Sequence, residues 1–209
     1  MLARAALAGL LLASSGCQAP AEPARAPLPL PALVALGEAR RAGLDQPPSF
    51  AVAFEGGAAL DRRATRFVPR WRDGAALIDP EGRLYQVWPD GRRRMLADGV
   101  TALAASDDAA RLAYAVRTDG SLRLHDGEAE RSLTEGMASI GALTFDGEAV
   151  VFVGARPAGA ARGGVAGVWS ADRGGARCHT NCDLRVGDGW GDRFVPPPTE
   201  PAALREAAR

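Results

Sequence analysis

From Ser49 onward, apolar residues come in short runs, each closed by turn-forming residues. Phe50-Ala51-Val52-Ala53-Phe54 ends at Gly56-Gly57, and Ala75-Ala76-Leu77-Ile78 ends at Asp79-Pro80. Leu84 to Trp88 ends at Pro89-Asp90-Gly91, Leu112 to Val116 at Thr118-Asp119-Gly120, and Leu122 to His125 at Asp126-Gly127. Val150 to Val153 ends at Gly154, and Val165 to Trp169 is followed by Asp172-Arg173-Gly174. Runs of this length bounded by Asp-Gly steps predict strands joined by hairpins, because Asp and Gly tolerate the positive φ of tight turns. Close spacing with local turns predicts antiparallel pairing. Beyond residue 48 only the tail Ala203–Arg209 reads as helix.

The runs recur as a set. Turns at Asp73-Gly74, Asp108-Ala109 and Asp146-Gly147 are each followed three residues on by an apolar residue: Leu77, Leu112 and Val150. Endings recur at Arg94-Met95-Leu96-Ala97, Arg131-Ser132-Leu133-Thr134 and Arg177-Cys178-His179-Thr180. The Arg of the ending moves 37 positions (94 to 131) and then 46 (131 to 177). A repeat of this length predicts stacked supersecondary units. The units span about Phe67–Asp98, Val100–Glu135 and Met137–Cys182, the third lengthened by a Gly- and Ala-rich insert at Ala155–Gly164. The predicted fold is all-β: a partial or small β-propeller of about three four-stranded antiparallel blades. Propellers close with four to eight blades, so three blades and a partial fourth predict an open arc or closure through another chain. Arg66-Phe67-Val68-Pro69 returns as Arg193-Phe194-Val195-Pro196, which predicts that the later copy starts a new blade or pairs with residues 50–60.

The segment upstream has a different character. Arg4 is followed by the apolar stretch Ala5–Leu12, the small residues Ala13-Ser14-Ser15-Gly16, and Cys17. The apolar stretch is far below the ~20 residues that span a bilayer. The pattern resembles a bacterial lipoprotein signal, which implies acylation of Cys17 and, with Gln18 rather than Asp after it, an outer-membrane position facing the periplasm. Cleavage by ordinary signal peptidase near Ala19 is the competing reading, and a soluble cytosolic N-terminus the third. Residues 17–48 are rich in Pro and Ala and read as an extended, disordered tether, with a short helix over Leu33–Gly43. The expected organisation is a signal peptide at 1–16, the tether at 17–48, blades at 49–198 and a tail at 199–209.

Ser106-Asp107-Asp108-Ala109-Ala110-Arg111-Leu112-Ala113-Tyr114 resembles the Ser-Pro-Asp-Gly-x-x-Leu-Ala-Phe core of TolB-like propeller repeats, and Arg131-Ser132-Leu133-Thr134 resembles the Arg-x-Leu-Thr that closes them. The resemblance covers about residues 66–182. Unit one lacks the Ser-Pro, unit two has Asp107 in place of that Pro, and unit three has His179 in place of the Leu. It implies a protein–protein recognition role at the cell envelope.

Composition narrows the choices. Twenty-five basic and 25 acidic side chains cancel, giving no electrostatic reason to expect nucleic acid. Every basic residue is Arg. Cys178-His179-Thr180-Asn181-Cys182 is the one cluster of reactive side chains. With Cys17 acylated, Cys178 and Cys182 are an even pair in an oxidising compartment, and a disulfide between them requires Cα atoms roughly 4.4–6.8 Å apart. Extended chain would separate them by about 13 Å, so a bend at Thr180-Asn181 is predicted. Metal binding through Cys178, His179 and Cys182, which lacks a fourth ligand, and free thiols are the alternatives.

Trp71, Trp88 and Trp169 read as blade-core aromatics, His125 as an outer-strand residue, and Asp188-Gly189-Trp190-Gly191-Asp192 as an incomplete calcium loop. Trp190, flanked by Gly, reads as a loop residue on a contact surface, and Arg92 and Arg93 as solvated residues on the same kind of surface. No Gly-x-Ser-x-Gly elbow, P-loop or dinucleotide fingerprint occurs, and no cofactor is expected. The expectation is a non-enzymatic, lipid-anchored envelope protein recognising a protein partner through its blades. The alternative is a small-ligand, glycan or metal-binding module using the Cys178–Cys182 loop.

Overall fold

The computed structural model describes residues 30–41, 47–127, 129–157, 164–185 and 193–209. Fifteen strands and one helix follow in order. The first three are β1 (Leu33–Ala35), β2 (Phe50–Phe54) and β3 (Ala59–Ala64). A second group is β4 (Arg66–Trp71), β5 (Gly74–Ile78), β6 (Leu84–Val87) and β7 (Arg93–Ala97). A third is β8 (Val100–Ala105), β9 (Arg111–Val116), β10 (Ser121–Asp126) and β11 (Ala129–Thr134). The last strands are β12 (Ser139–Asp146), β13 (Ala149–Ala155), β14 (Gly167–Asp172) and β15 (Gly175–Cys178), followed by α1 (Pro201–Ala207). Each group is its own antiparallel sheet with strands in chain order, so the protein is all-β: four blade-like sheets, three of them four-stranded.

The sheets stand in a row. Their first strands touch in succession, β1 against β4, β4 against β8 and β8 against β12. The apolar runs are continuous, rather than alternating with polar residues, because the inner sheets are buried on both faces. In β5, Ala75 and Leu77 pack toward sheet one with Leu33, Val52 and Phe54, while Ala76 and Ile78 pack toward sheet three with Leu112, Tyr114 and Val116. In sheet three, Ala113, Leu122 and Leu124 pack toward Phe145, Val150, Phe152 and Trp169 of sheet four. Trp71 and Trp169 are buried, as expected of blade-core aromatics, whereas Trp88 is half-buried with the Arg92 guanidinium 5.4 Å from its ring centre.

The row stops at sheet four. Val151 and Val168, on the face turned away from sheet three, are covered by α1 through the fully buried Leu204. Arg205 adds donor bonds to Thr144 Oγ1 (3.2 Å) and the Phe145 carbonyl (3.4 Å). Pro201 opens the helix, where its missing N–H costs nothing.

Three expectations are corrected. The described part of the expected helix, residues 33–41, is not helical: Leu33–Ala35 is a strand paired with β2, with Leu33 1% exposed, and residues 42–43 lie outside the described residues. Burial of Leu33 and backbone pairing with Phe54 outweigh the weak local helical preference, so the tether does not extend to residue 48. The second Arg-Phe-Val-Pro copy forms no strand; it is held by a side chain, as described below. His125 lies on the third strand of its sheet and is buried, its ring 5.1 Å from that of Trp71 at an 80° interplanar angle.

Candidate functional site

Antiparallel connection places the turns on two rims. One rim carries the 79–83 and 117–120 turns and the links between sheets at 98–101 and 135–139. The opposite rim carries the turns at 72–73, 88–92, 106–110, 146–148 and 173–174. The turn at 106–110 is built by Ser106 and Asp108. The Ser106 hydroxyl donates to Asp108 Oδ1, Asp108 Oδ1 accepts the Ala110 amide at 3.0 Å, and Ser106 Oγ accepts the Arg111 amide at 3.0 Å. Ala109 then takes φ +57°.

The first rim bears two adjoining crevices. Between sheets two and three lies a cavity of about 420 Å³, lined by Thr65, Arg66, Ile78, Asp79, Glu81 and Arg117 among others. Between sheets three and four lies a smaller one of about 140 Å³, lined by Ala115, Val116, Gly120, Met137, Ala138 and Ile140. Thr101 and Arg117 line both. The smaller crevice is set by a close approach of two sheets. Gly120 has φ +62°, and a Cβ there would stand 2.0 Å from the Met137 carbonyl oxygen, so only glycine fits.

The acidic groups of the larger cavity are internally matched. Asp79, 1% exposed, accepts the Glu81 amide (3.1 Å) and Arg83 amide (2.9 Å) on Oδ1, and Arg62 (3.1 Å) and Arg83 (3.0 Å) on Oδ2. Glu81 accepts from Arg83 at 2.7 Å, and this lowers its pKa.

The disulfide loop lies at the same rim, after β15. Cys178 and Cys182 stand at bonding distance with Cα atoms 5.7 Å apart. The predicted bend falls at Asn181, at φ +57°, a conformation Asn tolerates. Its side chain donates to the carbonyls of Ala166 (2.8 Å) and Val195 (2.7 Å) and accepts the Val195 amide (3.0 Å). The loop thereby holds the second Arg-Phe-Val-Pro copy. His179 Nε2 lies 2.8 Å from the Ser170 hydroxyl. Burial, and then the Arg177 charge, lower the His179 pKa. Among the described residues no carboxylate bonds its other nitrogen, and no three Cys, His, Asp or Glu side chains converge as a metal site.

Arg92 and Arg93 lie away from that loop. Arg92 follows the opposite-rim turn and pairs with Asp90 at 2.6 Å, and Arg93 pairs with Asp61. Cys17, Trp190, the calcium-like loop and residues 158–163 of the insert lie outside the described residues. Sequence reasoning missed Arg66, Thr101 and Arg117 as a group: no motif marks Thr101 or Arg117, Arg66 was read only as the start of the Arg-Phe-Val-Pro repeat, and only the spacing of the sheets brings them together.

No family model matches the chain, and no curated protein matches it. A solved structure it resembles is a chain from a S. cerevisiae complex of a Dbp5 variant bound to Nup159, a Gle1 variant, IP6 and ADP. The identity is 11% and the TM-score 0.43, over 64% of this chain and 44% of that one. Similarity at this level carries no functional argument. Among the described residues no helix is long and apolar enough to cross a membrane.

Proposed function

We propose that this is a non-enzymatic, lipid-anchored protein of a bacterial cell envelope that recognises a protein partner through the rim formed by its inter-sheet links. The observation that carries this reading is the pair of adjoining crevices sharing Thr101 and Arg117, built from three successive sheets. A surface assembled across rigid sheets holds its shape without paying to order loops on binding. The anchor rests on Cys17 and the residues before it, and the TolB-like motifs support the envelope setting.

Two measurements test the proposal on the full-length protein in its membrane. Intact mass spectrometry should find Cys17 acylated; unmodified Cys17 in a soluble fraction overturns the anchor. Photo-crosslinking residues placed singly at Thr101 and Ser139 should trap one stoichiometric protein, and the same probe at Asp108 or Glu148 should not. Equal trapping at both rims, or at neither, removes the recognition reading.

A further inference from the structure

We propose that the paired crevices form one composite subsite for an acidic residue and an aliphatic residue two positions further on in an extended segment of the partner protein. This deepens the recognition reading and rests on it. Charge around the larger cavity carries the argument. Its acidic groups, Asp79 and Glu81, are answered by Arg62 and Arg83. The remaining cations in the lining, Arg66 and Arg117, have no side-chain partner among the described residues and are exposed. Asp98, one residue outside the lining, accepts the Gly99 amide at 2.8 Å. Two unpaired guanidinium groups beside an otherwise neutralised cavity favour a carboxylate, which guanidinium binds in a two-pronged geometry. Thr101 adds an exposed residue with a hydroxyl to the same lining.

The second crevice supplies the neighbouring requirement. Ala115, Val116, Met137 and Ile140 give it an apolar lining, and its volume of about 140 Å³ is close to the ~150 Å³ of a cavity that accepts benzene. An aliphatic side chain fits that space. Arg117 lies on the boundary, so the acid and the aliphatic group must be near neighbours in the ligand. In an extended strand, side chains two positions apart face the same way and lie about 6.6 Å apart, so the acid and the aliphatic residue stand at i and i+2.

The probe is the peptide acetyl-Gly-Asp-Gly-Leu-Gly-amide, titrated into isotope-labelled protein and followed by NMR. Saturable shifts are expected at Thr101, Arg117, Met137 and Ile140. The Asn analogue, which keeps shape and loses charge, should bind about tenfold or more weakly. So should the Arg66→Ala/Arg117→Ala variant, and added salt should weaken the acidic peptide. Neither arginine supports the fold, so the variant should melt as the wild type does. Equal binding of the Asp and Asn peptides, shifts away from these residues, tighter binding of inorganic phosphate than of peptide, or unchanged affinity in the variant would each overturn the subsite. If the same variant still traps the crosslinked partner while losing the peptide, the partner docks elsewhere on the rim: the subsite fails and the recognition reading survives.

Discussion

Trp71 offers a test of how the central interface is held. It is fully buried between sheets two and three, packed with Ile78, Leu84, Leu112 and Tyr114, and its ring meets His125 edge-on at 5.1 Å. Its indole N–H has no acceptor among the described residues. Truncation to Ala removes the whole ring from a packed site and should cost about 3–5 kcal/mol, a large share of a typical total of about 5–15 kcal/mol. Trp71→Phe separates two contributions. It leaves a void of one or two methyl groups, at ~1 kcal/mol each, but keeps an aromatic ring against His125. It also removes a buried unpaired donor, whose presence costs about 1–3 kcal/mol. These terms nearly cancel, so Trp71→Phe should lie within about 1 kcal/mol of wild type. Urea denaturation followed by far-ultraviolet circular dichroism reads both variants against wild type. If Trp71→Phe is as damaging as Trp71→Ala, the N–H is satisfied and the cancellation argument is wrong.

Three further outcomes follow from other features. Ala109 occupies φ +57°, a conformation that costs a non-glycine residue about 1–2 kcal/mol. Ala109→Gly should stabilise by about 0.5–1 kcal/mol after the extra unfolded-state entropy of glycine is subtracted, read as a higher urea midpoint; an unchanged or lower midpoint refutes this. Burial, then the charge of Arg72, with a smaller effect from Arg94, lower the His125 pKa against the opposing pull of Glu130. The unfolded chain therefore binds the proton more readily, so stability should fall as pH drops below the ordinary imidazole value of about 6.5 and level off below the folded value. The melting temperature of His125→Gln should show a shallower slope over this window, His179 keeping the remainder; parallel slopes contradict the assignment. Asn181→Gly keeps the left-handed backbone but removes three hydrogen bonds to Ala166 and Val195. Hydrogen exchange at Val195 should accelerate about tenfold or more, since one bond is worth roughly 0.5–1.5 kcal/mol, with β9 unaffected.

The three four-stranded sheets were legible because their physics is local and repeated. Each run had to be apolar on both faces, and each turn needed Asp, Gly or a residue tolerating positive φ, as Gly120 and Gly147 do. Sheet one was only half legible. Leu33-Val34-Ala35 is three residues long, and it is a strand because β2 lies beside it. β3, Ala-Leu-Asp-Arg-Arg-Ala, is an edge strand whose polar residues erase the alternation: Asp61 is exposed, while Arg62 and Arg63 are half-buried against Asp79 and Ser49. The Arg-Phe-Val-Pro repeat misled because identical residues met different partners: β5 for the first copy, one Asn side chain for the second. The bend of the 178–182 loop followed from Cys spacing alone. Arg66 and Arg117 did not stand out as a pair among 25 arginines, because what sets them apart is that the packing of sheets two and three brings both to one cavity.

A row of sheets has two ends, and each needs a solution, since an uncovered apolar face invites association. Sheet four still has an apolar outer face, with Val151, Val153 and Val168 prepared for another sheet. The chain supplies a seven-residue helix instead. A helix that short has little stability of its own, so Leu204, Arg205 and the Asn181 clamp upstream must hold it in place. Sheet one is finished by composition. By alternation its outer face carries Val34, Ala51, Ala53 and Arg63, the last donating to Ser49 Oγ at 2.9 Å. Terminal units of repeat proteins need such an outer surface. Among the described residues the two terminal faces thus differ: a helix covers the apolar face of sheet four, while the outer face of sheet one carries small, β-branched and charged side chains in place of large apolar ones.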